Sequence, residues 1–196
     1  MFSGLIESVG EVTGVESIPN GSRVTIRAGL GPELEVGESV SVNGVCLTVI
    51  ERGDAFFRAE VSPETARVTT VAHWSPGQAI NLERSLRVDA RFGGHFVLGH
   101  VDGIGRVRGV LPQADFHLVT IGFESDLAPY MVQKGSVAVD GISLTVAALR
   151  AESFDVQIVP YTWAHTALHA VGLGTAVNLE CDIIGKYVVR AVRDTA

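Results

Sequence analysis

The chain has 196 residues, 46% of them hydrophobic and only 19% charged, a composition that excludes a disordered polymer. Its 15 basic against 22 acidic residues give a net charge of −7, which argues against nucleic acid or an anionic membrane as the main partner. No apolar run approaches a bilayer span, and Met1-Phe2-Ser3-Gly4 lacks the basic start and apolar stretch of a signal peptide.

Taken in order, residues 2–15 alternate roughly apolar and polar with glycines at Gly4, Gly10 and Gly14, a pattern for a tightly bent strand in a small barrel. Pro19-Asn20-Gly21 signals a turn, and Ser22–Ala28 alternates again as a second strand. Leu30–Leu34 is turn-rich and suits a short helical turn. Glu38–Glu51 reads as a strand pair or bent strand broken at Asn43-Gly44, a pair suited to a hairpin or bulge. Arg52-Gly53-Asp54 turns into a strand over Ala55–Val61. Ser62 can cap a short helix opening at Pro63, and Ser75-Pro76-Gly77 leads into a last strand, Ala79–Arg84. Short strands separated by turns, with little helix, form an all-β barrel pattern.

The pattern then repeats. SVSVNGVCLTV at 39–49 returns as SVAVDGISLTV at 136–146, with seven of eleven positions identical and an offset of 97 residues. Val61–Thr65 answers Ile158–Thr162, and Gly77–Glu83 answers Gly174–Glu180, at the same offset. Near the start the offset is 95, with Gly4, Ile6, Gly10 and Val12 answering Gly99, Val101, Gly105 and Val107. The two-residue slip is expected in the loops around Pro19-Asn20-Gly21 and Pro112-Gln113-Ala114. The duplication gives two domains, 1–94 and 95–186, with Gly93-Gly94 as a flexible joint and a tail, 187–196, able to form a helix with Tyr187, Val188, Ala191 and Val192 on one face. That face is either an oligomer contact or packs back on the second repeat. Cys46 and Cys181 sit at non-equivalent places in the two repeats, so reduced thiols in a cytoplasm are expected rather than a disulfide.

Shared positions are most simply structural, so the differences carry the functional signal. Cys46 faces Ser143, Leu5 faces His100, Ser85 faces Asp182, Glu64 faces Tyr161 and Phe2 faces Val97. Thr48 and Thr145 follow two residues after Cys46 and Ser143, which puts each pair on one strand face. His100 is a candidate acid or base near neutral pH, against the simpler reading of a structural histidine. His95 and His100 are five apart, which a regular strand places on opposite faces, so a metal site is not expected. Residue types alone indicate a duplicated β-barrel with two related small-molecule pockets.

The start Met-Phe-Ser-Gly-Leu-Ile-Glu, the NGVCLTV and DGISLTV pair, GGHFVLGHVDGIG and NLECDIIGKY together resemble the riboflavin synthase family of the alpha-chain type over nearly the whole chain. The resemblance implies two tandem six-stranded Greek-key antiparallel barrels with a short C-terminal helix, assembled as a homotrimer. It implies dismutation of two molecules of 6,7-dimethyl-8-(D-ribityl)lumazine into riboflavin and 5-amino-6-(D-ribitylamino)uracil, with no metal or redox cofactor. Each barrel would bind one lumazine, and the N-terminal barrel of one subunit would meet the C-terminal barrel of the next. Carried over residue by residue, Cys46 and Thr48 would lie at the ligand of the N-terminal barrel with Phe2 reaching over it. Ser143, Thr145 and Asp182 would surround the ligand of the C-terminal barrel, with His100 in proton transfer. Binding would involve Gly4, Leu5 and Ile6; Gly99 and Val101; Leu47 and Leu144; Glu60, Val61, Ser62, Pro63, Glu64 and Thr65; Gln157, Ile158, Val159, Pro160, Tyr161 and Thr162; and Lys134. The rival reading is a non-catalytic lumazine- or flavin-binding protein. An association with lumazine synthase is left open.

Overall fold

The computed structural model describes residues 1–194. Alternation of apolar and polar residues produces strands β1 (Ser8–Ile18), β2 (Gly21–Arg27), β3 (Ser39–Val42), β4 (Val45–Arg52), β5 (Phe56–Val61) and β6 (Ala79–Arg84). They close into an antiparallel barrel in the order β1-β2-β5-β4-β3-β6, a Greek-key circuit. The second barrel repeats the circuit with β7 (Gly103–Gln113), β8 (Phe116–Gly122), β9 (Ser136–Val139), β10 (Ile142–Arg150), β11 (Ser153–Ile158) and β12 (Ala176–Cys181). Inward positions fill each barrel with branched and aromatic side chains, Ile26, Val40, Phe57 and Leu82 in the first and Ile121, Val137, Phe154 and Leu179 in the second. Even the bulges recur: Val12/Gly14 matches Val107/Gly109, and Val49/Glu51 matches Val146/Ala148.

The structure refines several expectations. The first strand begins at Ser8, because residues 2–6 leave their own barrel, as described below, and the chain rejoins it at Glu7, whose N–H donates to Leu82 O. Asn43-Gly44 makes a tight hairpin, both residues having left-handed φ (46° and 76°), and Asp140-Gly141 does the same (45° and 80°). The two-residue slip does not fall in the β1–β2 turn. The offset is still 95 through β2 and β8, since Ser22 pairs with Val61 and His117 with Ile158. The slip lies just after them, where a short 3-10 turn, Gly31–Glu33, is replaced by a longer one, Ser125–Tyr130, which absorbs the extra residues at the barrel rim. Gly94 does not act as a free joint: a Cβ there would overlap the Ser3 carbonyl oxygen.

Two short helices follow the fifth strand of each barrel, α1 (Pro63–Val68) and α2 (Pro160–His165). Ser62 caps α1 by accepting from Thr65 N at 3.1 Å. Val159 gives α2 no such cap, and a stacked His117–Trp163 pair, centroids 3.8 Å apart, holds that helix to β8 instead. The C-terminal helix, α3 (Ile183–Arg193), starts earlier than the tail expected at 187, because Asp182 caps it by accepting from Ile184 N. Residues 195 and 196 of that expected tail lie outside the described residues. Among the described residues no helix is long and apolar enough to cross a membrane.

The barrels meet through their two hairpin turns. Gly44 and Gly141 touch so closely that a Cβ on either would sit 2.6 or 2.8 Å from the other's amide nitrogen. Around this contact two buried asparagines reach across. Asn81 Nδ2 donates to Asp140 O at 3.0 Å while its Oδ1 accepts from Ala167 N at 2.7 Å. Asn178 Nδ2 donates to Asn43 O and its Oδ1 accepts from Thr70 N, both at 2.8 Å. Each of these side chains is 1% exposed.

Truncating either asparagine leaves a buried N–H and a buried carbonyl unsatisfied. We expect Asn81→Ala and Asn178→Ala each to lower unfolding stability by about 2–5 kcal/mol, read from denaturant unfolding. A loss below about 1 kcal/mol would show that water replaces these bonds. Asp140 gives the seam a titratable group. Burial pushes its carboxyl up to about 7, against a smaller opposing effect of the Asn178 N–H that it accepts. A carboxyl raised in the folded state stabilises fully below its ordinary value of 3.8 and loses that contribution as pH rises through about 7. The matching position in the first barrel is the neutral Asn43, whose Oδ1 accepts from Asn81 N in the same way. We therefore expect Asp140→Asn to gain stability over the parent as pH rises from 4 to 8, by at most about 4 kcal/mol, with melting curves across that range as the check.

Candidate functional site

Strand alternation sorts the repeated motif into two faces. In β4, Val45, Leu47 and Val49 are buried in the barrel, while Cys46 is half-buried and Thr48 exposed. In β10, Ile142 and Val146 are buried, Leu144 is half-buried against the core, and Ser143 and Thr145 face out. Each barrel thus presents a thiol or hydroxyl beside a threonine on an open face. The neighbouring rim is built alike in both: Glu60, Ser62, Pro63 and Glu64 are exposed beside buried Val61 and half-buried Thr65, and Gln157, Val159, Pro160 and Tyr161 are exposed beside buried Ile158 and half-buried Thr162. Lys134 is exposed, with a left-handed φ of 68°, and its N–H donates to Val146 O at 2.8 Å.

The segments before β1 and β7 exchange barrels. Phe2 and Val97 pair with each other in an antiparallel bridge at the seam. Beyond it, Gly4 O accepts from Ser143 N at 2.8 Å, so the segment of the first barrel edges the β10 face of the second. Gly99 O accepts from Cys46 N at 2.9 Å, so the segment of the second barrel edges the β4 face of the first. Ile6 packs on the core of barrel two and Val101 on that of barrel one. Both glycines need their left-handed φ (79° and 78°), and a Cβ at either would lie 2.5–2.6 Å from the Cβ of Ser143 or Cys46.

This exchange regroups the residues singled out in the sequence. Gly4, exposed Leu5 and Ile6 join Ser143, Thr145 and the 157–162 rim. Gly99, exposed His100 and Val101 join Cys46, Thr48 and the 60–65 rim. His100 is therefore beside Cys46 rather than among Ser143, Thr145 and Asp182, where the resemblance puts it. Phe2 does not reach over an open site. It is 0% exposed and packs with Val97 and Ala138 beneath Cys46, because its backbone bridge to Val97 holds it in the seam.

The histidine that does meet Ser143 is His95. Its ring Nδ1 is 2.7 Å from Ser143 Oγ, its backbone N–H donates to Ser3 O at 3.1 Å, and its ring Nε2 is buried without a partner. Burial holds its imidazole below the usual histidine range, with the Asp182 charge pulling partly back upward. The ring is therefore neutral near pH 7 and can accept a proton. Strand spacing marks His95 only as one of two flanking histidines and gives it no role. A further signal is the Gly93-Gly94 pair before it: Gly94 lets the chain pack flush against Ser3 and Ser143, and Gly93 lies against Leu5. Two more residues look like ordinary strand positions in the sequence: Glu83, accepting from Ser3 N, Ser3 Oγ and Gly4 N at 2.7–2.9 Å, and Glu180, accepting from Leu98 N and Gly99 N at 2.7 and 2.9 Å.

With this geometry the comparisons with known proteins fall into place. A family model described as the lumazine binding domain matches the chain twice, over residues 3–85 and 98–182. Riboflavin synthase of Mycobacterium bovis is 43% identical over 201 residues, covering 98% of each chain. The chain belongs to the riboflavin synthase family. Riboflavin synthase of Bacillus subtilis (strain 168) is 35% identical over 191 residues, 97% of this chain and 89% of its own. The fold is shared with LumP in its crystal structure complexed with riboflavin, at a TM-score of 0.86 and 20% identity over 92% of this chain and 99% of that one. That likeness speaks for the fold alone.

Cys46 and Cys181 are both free, but only Cys46 is reachable. Cys181 is 1% exposed and burial pushes its thiol up to about 12, so almost none of it is the reactive thiolate at neutral pH. A colorimetric thiol titration of the native protein should therefore find one reactive thiol per chain and two after unfolding. Two in the native state would overturn this placement of Cys181.

Proposed function

We propose that this member of the riboflavin synthase family catalyses the dismutation itself. One 6,7-dimethyl-8-(D-ribityl)lumazine binds at each barrel face, and a four-carbon unit passes from one to the other to give riboflavin and 5-amino-6-(D-ribitylamino)uracil. The observation that carries this reading is the pair of near-identical faces with unlike polar groups, Cys46 and His100 on one, Ser143 and His95 on the other. Two identical substrates in opposite roles need that asymmetry. One must lose a proton from its 7-methyl group, and the other must accept the resulting carbon nucleophile. The Ser143–His95 pair suits the proton loss, because a neutral imidazole behind a hydroxyl can take a proton through it. Backbone amides and carbonyls along the two rims would hold the ring edges and ribityl chains, and stacking the rings supplies much of the rate by proximity.

Both faces are open in a single chain, which supports a homotrimer in which the N-terminal barrel of one subunit closes on the C-terminal barrel of the next. The exposed apolar positions of α3, Ile184, Tyr187 and Val188, support its use as an oligomer contact. The two free thiols fit a reducing, cytoplasmic setting.

Anaerobic incubation with the lumazine should form riboflavin at half the molar amount of substrate consumed. His95→Gln and Ser143→Ala should each slow turnover by about 10²-fold or more, with binding less affected. Tight binding without turnover would sink the enzyme reading and leave a lumazine carrier. Turnover unaffected by either substitution would keep the function and overturn the proton-transfer assignment.

A further inference from the structure

Glu83 and Glu180 are the most deeply buried acidic side chains of the two sites, 3% and 2% exposed, yet neither faces a cation within its hydrogen-bonding shell. Backbone amides take that place. Glu83 Oε1 accepts from Ser3 N and Ser3 Oγ at 2.7 and 2.8 Å, and its Oε2 accepts from Gly4 N at 2.9 Å. Glu180 Oε1 accepts from Leu98 N at 2.7 Å, and its Oε2 from Gly99 N at 2.9 Å. Each carboxylate grips one glycine-containing segment through both oxygens, the strong form of this interaction. These bonds offset part of the desolvation that burial imposes on each carboxylate, and Lys186 adds a more distant favourable charge to Glu180.

What each grips belongs to the opposite face. Glu83 is on β6 of barrel one, but the carbonyl of the Gly4 it holds accepts from Ser143 N of barrel two. Glu180 is on β12 of barrel two, but the carbonyl of the Gly99 it holds accepts from Cys46 N of barrel one. We propose that Glu83 and Glu180 are positioning residues that act across the seam, Glu83 setting the ligand edge of the barrel-two site and Glu180 that of the barrel-one site. This rests on the reading of both faces as lumazine sites. A glutamine cannot substitute, since it would turn an NH₂ group toward the same N–H donors.

A thiol on each face reports on it separately. Cys46 is the native probe of the barrel-one face, and a Cys46→Ser, Ser143→Cys protein places the probe at the matching barrel-two position. The rate of alkylation is followed against rising 6,7-dimethyl-8-(D-ribityl)lumazine, and protection yields an apparent Kd for that face. We expect Glu180→Gln to weaken protection of Cys46 by about tenfold or more while leaving the barrel-two probe within about twofold, and Glu83→Gln to do the reverse. Ser3→Ala removes a single donor to Glu83 and should weaken the barrel-two face more mildly, which keeps the test usable if Glu83→Gln folds poorly. Effects confined to each glutamate's own barrel, equal on both faces, or absent would overturn the proposal. If lumazine protects neither thiol in proteins that retain both glutamates, the lumazine reading of the faces fails first, and the proposal with it.

Discussion

Everything at the two faces depends on a seam in which two buried asparagines bond across to the facing barrel. Two hairpin turns meet glycine to glycine, and the approach is so close that no side chain fits between them. Asn81 and Asn178 then satisfy, from opposite sides, a carbonyl of the facing turn and an amide, Ala167 N or Thr70 N, of the short 3-10 turn after the facing barrel's helix. A buried amide with both ends bonded contributes modestly, but one left unbonded costs more than the bond returns. The seam therefore admits one arrangement of the barrels and penalises neighbouring ones. It fixes their relation more sharply than an apolar contact of the same area would.

That fixed relation makes the segment exchange useful. Phe2 and Ser3 pair antiparallel with His95 to Val97 at the seam, and the two segments then continue, each onto the opposite barrel. Neither face is complete from its own barrel's strands: β4 receives its neighbouring carbonyl from Gly99, and β10 from Gly4. The duplication has thus produced two interlocked half-sites rather than two independent ones. Each barrel is thus joined to the face of the other through the backbone of the exchanged segment and its hydrogen bonds.

On this near-symmetric frame a few substitutions differentiate the halves. Asn43 against Asp140 puts a titratable group on one side of the seam only. Ser62 against Val159 removes a helix cap from the second rim, and the His117–Trp163 stack anchors that helix instead. Cys46 against Ser143 exchanges a soft thiol for a hydroxyl, and only the hydroxyl has a buried imidazole behind it. The two faces are thus alike in backbone and unlike in chemistry.

The duplication, the barrel class and the faces of the motif strands are all legible in the chain of residues. They rest on local rules: period-two alternation, left-handed turn residues at Asn43-Gly44 and Asp140-Gly141, and proline at the start of a helix. Most residues of the two faces can be named the same way, because repeats expose substitutions such as Cys46 for Ser143. Folding in three dimensions settles the rest: which segment serves which face, that Phe2 is buried, that His95 rather than His100 meets Ser143, and that Glu83 and Glu180 hold the exchanged segments. Each of those facts is a contact between residues far apart in the chain, from 48 positions for His95 with Ser143 to 82 for Glu180 with Leu98, and further for Phe2 with Val97. An offset between repeats aligns equivalent positions, but it carries no information on whether a segment folds back on its own barrel or crosses to its twin. That choice is made by hydrogen-bond satisfaction and close packing at the seam, which exist only once both barrels are in place.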